Sequence, residues 1–358
     1  MIEILTRIPQ YMAFRKLGFP RKMPMNVTLS VTYKCNSRCK TCNVWQRKVH
    51  EMTLEEIDMV FQTLGKTPYW FTMSGGEPFL REDLSAICRS AYERCRPKII
   101  SIPTNGILYK SIPSVVSEIA ESCPDSVIVL NLSLDGIREQ HNQIRGVPGN
   151  WERSMKTYES LKKLKHKNLE IGVHSVISTY NVSAIPEVFH YVQNELMPDS
   201  YITEIAEERN ELGTIGSRIA PEIEQYAEVI EFLSSELKKK HFSGLSKITQ
   251  SFRLSYYKLV IKTLREKRQV IPCYAGSASA HIAPDGDIWA CCIRAESIGN
   301  LREVGYDFSK VWFDHEANLM RRSINKGECY CPLANSNYTN ILLHPGMLAR
   351  VIWRAMTL

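Results

Sequence analysis

Six short β-rich runs, each followed by a helical stretch, constrain this chain more than any other feature of its sequence. They occupy residues 27–33, 69–74, 98–103, 127–134, 170–177 and, less sharply, 201–205. One intervening stretch, "TLEEIDMVFQTLG", opens with Thr53 as a helix N-cap and Glu56 three residues on, a capping box. Strands joined through helices build a parallel sheet, since antiparallel neighbours need only a turn between them. Six units are too few to close an eight-stranded barrel. An open partial barrel or a doubly wound sheet remains.

After residue 220 the pattern changes. "PEIEQYAEVIEFLSSELKKKHF" and "LSYYKLVIKTLREKR" are helical, and an irregular, cysteine-rich module follows. The expected organisation is a basic amphipathic segment over 1–24, a core over 25–210, a helical bridge over 211–271, the cysteine-rich module over 272–335 and an amphipathic tail over 336–358. No segment approaches the ~20 apolar residues of a membrane span, and the first residues lack an export signal. Eleven cysteines in such a chain of 358 residues point to a reducing cytoplasm, where they serve as metal ligands or buried thiols. The net charge of +7 favours anionic partners without choosing among them. No nucleic-acid partner is expected.

Cys35, Cys39 and Cys42 follow the hydrophobic run "MNVTLSVTY". In α/β barrels chemistry collects on loops after the carboxyl ends of strands. Three thiolates can hold three irons of a [4Fe–4S] cluster and leave the fourth iron open. A zinc site completed by a distant residue, or three unconnected thiols, would show the same spacing.

The strand ends that follow carry a family resemblance. C-x3-C-x2-C resembles the cluster motif of radical S-adenosylmethionine (SAM) enzymes, and "SGGEPFLR" looks like their Gly-Gly-Glu-Pro motif. "PTNG" and "NLSLDG" fall where the superfamily makes further SAM contacts. The resemblance covers residues 27–210 and departs at Thr41, where many members carry a bulkier residue. It implies a partial (β/α)6 TIM-like barrel with a [4Fe–4S] cluster on Cys35, Cys39 and Cys42. It further implies SAM bound by Gly75, Gly76, Glu77, Pro78, Thr104, Asn105, Ser133 and Asp135, with Ser175 and Arg145 as additional contacts. His174, beside Ser175, reads as a core histidine. Ser133 and Asp135 share a strand face by the two-residue period.

Downstream lie Cys273, Cys291, Cys292, Cys329 and Cys331, with a turn at Gly286 leading into the strand before Cys291. The region resembles the SPASM or twitch auxiliary-cluster domain of radical SAM enzymes, with too few cysteines for two clusters. One auxiliary [4Fe–4S] cluster on Cys273, Cys291, Cys329 and Cys331 is therefore expected, in a small α+β domain. Cys292 is the spare, because adjacent strand residues point to opposite faces. A four-cysteine zinc site has the same ligand count.

By resemblance the chain cleaves SAM reductively to a 5′-deoxyadenosyl radical, using a reduced flavodoxin or ferredoxin-type donor, and takes hydrogen from an unactivated C–H bond. The short segment ahead of the core lowers the expectation of a peptide substrate. Both chain ends are basic and amphipathic, as in Leu5, Ile8, Met12, Phe14, Leu17 and Phe19 beside Arg7, Arg15 and Lys16, or Trp353 beside Arg350 and Arg354. Such ends either pack on the core or lie in a membrane interface. The second option leads to the expectation of a lipid alkyl chain as substrate, with Phe232, Leu233, Phe242, Tyr256, Tyr257, Leu259 and Val260 walling an apolar tunnel. Peptide maturation and small-molecule dehydrogenation are the other enzymatic options. A non-catalytic metal scaffold would bind metal without cleaving SAM.

Overall fold

Polar and apolar residues alternate along the strands, so the sheet has one face for helices and one for chemistry. In the computed structural model, which describes residues 2–239 and 245–357, helix α1 (Ile2–Leu17) precedes the βα units. These run β1 (Asn26–Thr32), α2 (Leu54–Leu64), β2 (Trp70–Gly75), α3 (Leu84–Cys95), β3 (Ile99–Thr104) and α4 (Ile112–Ser122). They continue through β4 (Val127–Ser133), α5 (Glu139–Arg145), α6 (Asn150–Leu161), β5 (Leu169–Ile177), α7 (Ile185–Tyr191) and β6 (Ser200–Ile205). Each strand expected from sequence is present, with ends displaced by at most one residue. The capping box forms as expected: Thr53 Oγ1 accepts from Glu56 N–H, and Glu56 Oε2 accepts from Thr53 N–H.

Two bridging helices, α8 (Ile223–Lys238) and α9 (Leu245–Glu266), lead to β7 (Ser279–Ile282), β8 (Asp287–Trp289) and β9 (Ser297–Asn300). Helices α10 (Phe308–Trp312), α11 (His315–Lys326), α12 (Ala334–Leu343) and α13 (Pro345–Thr357) follow. All nine strands form one sheet in the order β6-β5-β4-β3-β2-β1-β7-β8-β9. Strands β1 to β6 are parallel, and β7 joins β1 in parallel before β8 and β9 turn antiparallel. The result is an open, TIM-like partial barrel whose β1 edge is extended by the cysteine-rich module.

On β1, Val27, Leu29 and Val31 are buried in the main hydrophobic cluster with helix residues such as Ile57, Val60 and Phe61. Thr28 points instead into a cavity shared with Ser74 of β2 and Glu204 of β6. Strand β4 repeats the rule, with Ile128, Leu130 and Leu132 in the core and Asn131 and Ser133 between them. Burying each such aliphatic side chain contributes roughly 1.5–3 kcal/mol, which fixes the register and leaves the polar set on the concave face.

The bridge is a normal core face. Tyr226, Leu233, Tyr256, Tyr257, Leu259 and Val260 are buried, Phe232 packs against that cluster, and Phe242 lies outside the described residues. Tyr256 stacks on Tyr338 of α12 at 5.0 Å, and its hydroxyl donates to the Pro332 carbonyl. The chain ends dock by one face each: Tyr11 and Phe14 are buried on α1, and Val351 on α13. Phe19 is nonetheless 73% exposed and Trp353 64% exposed. Among the described residues no helix is long and apolar enough to cross a membrane.

Candidate active site

The loop carrying Cys35, Cys39 and Cys42 leaves β1 and is gripped by its neighbours through backbone contacts. Gly76 N–H donates to the Thr32 carbonyl at 2.7 Å, and Glu77 N–H to the Lys34 carbonyl at 2.9 Å. This approach is what the two glycines permit. A Cβ on Gly75, whose φ is +127°, would stand 2.0 Å from Thr32 O, and one on Gly76 would stand 2.2 Å from Lys34 O. From the other side, Arg38 N–H and Lys40 N–H donate to the carbonyls of Arg145 and Ile144, each at 2.9 Å. The loop is thus fixed by β2 and by α5 before any ligand is considered.

Glu77 is buried and ties this loop to the end of β3. It accepts from Thr104 Oγ1 at 2.9 Å, from Asn105 N–H at 2.8 Å and from Phe79 N–H at 3.3 Å. Burial raises its pKa to about 7 against the pull of those donors. Pro78 opens a short 3₁₀ turn, Pro78–Leu80, behind it. Asn105 Nδ2 donates to Asn36 Oδ1 at 2.7 Å, so Thr104 and Asn105 spend their polar atoms joining the β3 end to the cysteine loop.

Asp135 and Arg145 form an ion pair at 2.9 Å, and Arg145 Nη1 reaches Cys39 Sγ at 3.7 Å. Burial opposes the charge on Arg145, but Asp135 and the Cys39 and Cys35 thiols outweigh it and hold the guanidinium charged. Its Nε is buried without a hydrogen-bond partner, a donor suited to an anionic ligand at the loop. Cys35 is pushed up to about 11 and Cys42 to about 12, chiefly by burial. Thiolates there need a metal's positive charge, which suits an iron–sulfur cluster.

Ser133 lies on the concave face in register with His174. Ser175, expected in the cofactor pocket, is on the opposite side of β5. It donates to the Leu134 carbonyl and accepts from Tyr201 OH, with no exposed surface. The two-residue period forces the choice, and it brings His174 to Glu204 Oε1 at 3.4 Å.

In the second module, Cys273, Cys291, Cys329 and Cys331 line one cavity. Their backbones are anchored: Arg15 Nε donates to the Cys273 carbonyl at 2.7 Å, Gln269 Nε2 to that of Cys329 at 3.0 Å, and Asn337 Nδ2 to that of Cys331 at 3.2 Å. Burial pushes the Cys291 thiol up to about 12, so here too the donor set fits a cluster. Cys292 points elsewhere, into a second cavity.

That second cavity, of about 110 Å³, is bounded by Asn26 and Thr28 of β1, Ser74 of β2, Ser279 of β7 and the Cys291–Cys292 pair. Its walls include Glu204, Arg209, Glu211 and His281. Arg209 is held loosely, with Nη1 at 3.5 Å from Cys292 Sγ, Nη2 at 3.5 Å from Glu207 Oε1, and Nε buried without a partner. Burial opposes its charge, but Glu207, Cys292, Glu211 and Glu204 outweigh that and keep it cationic. Burial also raises Glu207 to about 7. Sequence reasoning missed these residues. The available signal was the charged run "EIAEERNEL" at the end of β6 and just after it, where an α/β barrel places its functional groups.

Residues 29–192 match the family model of the radical SAM superfamily, and residues 273–332 match that of SPASM, an iron–sulfur cluster-binding domain. The chain is 24% identical over 327 residues to the Fe-coproporphyrin III synthase of Methanosarcina barkeri, covering 85% of this chain and 77% of that one. To the AdoMet-dependent heme synthase of the same organism it is 24% identical over 326 residues, covering 86% and 87%. The structure of Streptococcus suis SuiB bound to precursor peptide SuiA shares the fold, with a TM-score of 0.62 at 15% identity over 89% of this chain and 72% of SuiB.

Proposed function

We propose that this chain, which belongs to the radical SAM superfamily and carries a C-terminal SPASM domain, acts on a carboxylate-bearing substrate whose acidic arm enters the central cavity and rests on Arg209. Cys35, Cys39 and Cys42 would hold the SAM cluster, which when bound would supply an open iron for SAM and the electron for its reductive cleavage to a 5′-deoxyadenosyl radical. The chain's own residues then position and enclose. Gly75 and Gly76 hold the loop against β1, and Arg145 offers its free Nε beside Cys39. The four cysteines of the second module would hold the auxiliary cluster.

The observation that carries the substrate class is Arg209, a buried guanidinium with two long contacts and an unpartnered Nε, on the wall of the central cavity. A planar fork so placed suits a carboxylate, which it can bind in bidentate fashion. A lipid alkyl chain would instead leave these buried polar groups without partners, at a cost. The relatives named as porphyrin and heme synthases, which align over most of this chain, support an iron porphyrin with carboxylate arms as the first candidate.

The test is anaerobic turnover of the cluster-loaded chain with SAM, a reduced flavodoxin or ferredoxin-type donor, and such a porphyrin. The expected result is porphyrin-dependent 5′-deoxyadenosine and a porphyrin product of altered mass, with a raised KM in Arg209→Met. Turnover only with peptides would overturn the assignment. The exposed Leu17, Phe19, Ile352, Trp353 and Met356 favour a second reading, a lipid substrate met at a membrane surface. Flotation with anionic vesicles tests it, and failure to float removes its main support.

A further inference from the structure

Cys292 is left over from both thiol sites, and what surrounds it is not a generic pocket wall. Its Sγ, a carboxylate oxygen of Glu211 and a ring nitrogen of His281 all lie within 4.8 Å of one another. Among the described residues this is the group of protein ligands drawn closely enough for a single ion. Thiolates on separate corners of a cubane cluster stand farther apart, so this is a different kind of site from the two around it.

A further observation points to a cation. Glu211 is buried, and the partner of its carboxylate is His281 Nε2, at 3.5 Å. That is long for a hydrogen bond. Two ligands bonded tetrahedrally to one ion at about 2.0–2.1 Å stand roughly 3.3–3.4 Å apart, which the pair nearly matches.

We infer that Glu211, His281 and Cys292 form a site for one divalent ion of the zinc class, separate from both iron–sulfur sites and opening into the central cavity. A thiolate, an imidazole and a carboxylate are a zinc donor set, and three protein ligands leave a fourth position for water or substrate. One surrounding group is in place, Arg209 with Nη1 3.5 Å from Cys292 Sγ, and an ion on His281 Nε2 would replace that nitrogen's 2.9 Å contact with Ser30 Oγ. Such outer partners orient ligands and tune the ion. A carboxylate in the cavity would meet the ion and Arg209 together, but the site stands on its own residues whatever the substrate is.

The test is zinc and iron analysis of the full chain, anaerobically loaded with iron and sulfide, given zinc and freed of unbound metal. The expected result is about one zinc per chain beside about eight irons. His281→Gln and Cys292→Ser should each cut retained zinc about tenfold or more at unchanged iron. X-ray absorption at the zinc edge of the unaltered chain should show one sulfur with nitrogen and oxygen ligands. The inference is overturned by a fully iron-loaded chain that retains no zinc, by zinc bound through four sulfurs, or by zinc contents equal in the chain and both variants. Loss of about four irons in Cys292→Ser would overturn it too, by assigning that thiol to the auxiliary cluster.

Discussion

Cys35, Cys39 and Cys42 sit on one loop, whereas Cys273, Cys291, Cys329 and Cys331 come from three segments joined only by the folded second module. The first set is gripped through backbone contacts to β2 and α5, with a charged arginine at Cys39. The second lines a cavity among Leu259, Ile271 and Ile324, with side chains clamping its carbonyls. Three ligands leave a cluster open to a reactant, while four close it. On the proposed assignment, the difference separates a site for a ligand that comes and goes from one that holds its metal permanently.

Removing a thiol from each site is the strongest way to break that comparison. Alanine at Cys35, Cys39 or Cys42 should abolish SAM cleavage with the loss of about four of about eight irons. Alanine at Cys291 should also cost about four irons yet leave some cleavage. Iron analysis and 5′-deoxyadenosine formation read both, and equal loss of cleavage from the two sites would erase the distinction.

Gly76→Ala asks whether the first site depends on its backbone grip. The new Cβ would meet the Lys34 carbonyl, which cannot swing aside as a side chain can. Displacing the loop by about 1 Å should lower SAM cleavage about 100-fold, with iron lost from the first site alone. Unaltered cleavage would mean that the loop tolerates the shift.

Glu77 gives the comparison a pH signature. Its carboxyl rises from 4.5 to about 7 in the folded chain. Between those values the folded state keeps a proton that the unfolded state has released, so stability falls as pH rises through that window. The full effect is roughly 3 kcal/mol. Denaturation of the unaltered chain and of Glu77→Gln at pH 5 and 7.5 should show a slope that the variant lacks. Parallel slopes would place the carboxyl's titration elsewhere.

The strands were legible because each is a short apolar run bounded by turn residues, and the local cysteine loop because its spacing lies within one segment. Gly75 and Gly76 were legible as residues but not in their cause, which is contact with Thr32 and Lys34, far back along the chain on the preceding strand and loop. Thr104 and Asn105 read as pocket residues, while the fold engages them with Glu77 and Asn36. The Ser175 and His174 pair shows the limit most directly, since the alternation allows either to face inward and only the register with β4 and β6 decides. Arg209 and Glu211 lie after β6, the last strand of the barrel, on a segment without periodicity, and their meeting with His281 depends on β7 docking beside β1. No local pattern reports a contact of that kind.

Arg145 offers the finest test of what sets the first site apart, because on the proposed assignment it touches a cluster ligand without being one. Its guanidinium bridges Asp135 at 2.9 Å and Cys39 Sγ at 3.7 Å. Removing it in Arg145→Met leaves Asp135 as a buried charge without its partner and withdraws a positive charge from the thiolates. Outer partners of metal ligands typically carry about 10–100-fold in activity, and SAM cleavage should fall within that range. The potential of the first cluster should fall as well, since a nearby cation favours the state with the added electron, while that of the auxiliary cluster stays where it was. Arg145→Lys keeps the charge but loses the fork, so it should restore the potential before it restores cleavage. If Met and Lys behave alike in both readouts, Arg145 shapes the loop only through the backbone carbonyl that it lends to Arg38, and its charge has no part in the chemistry.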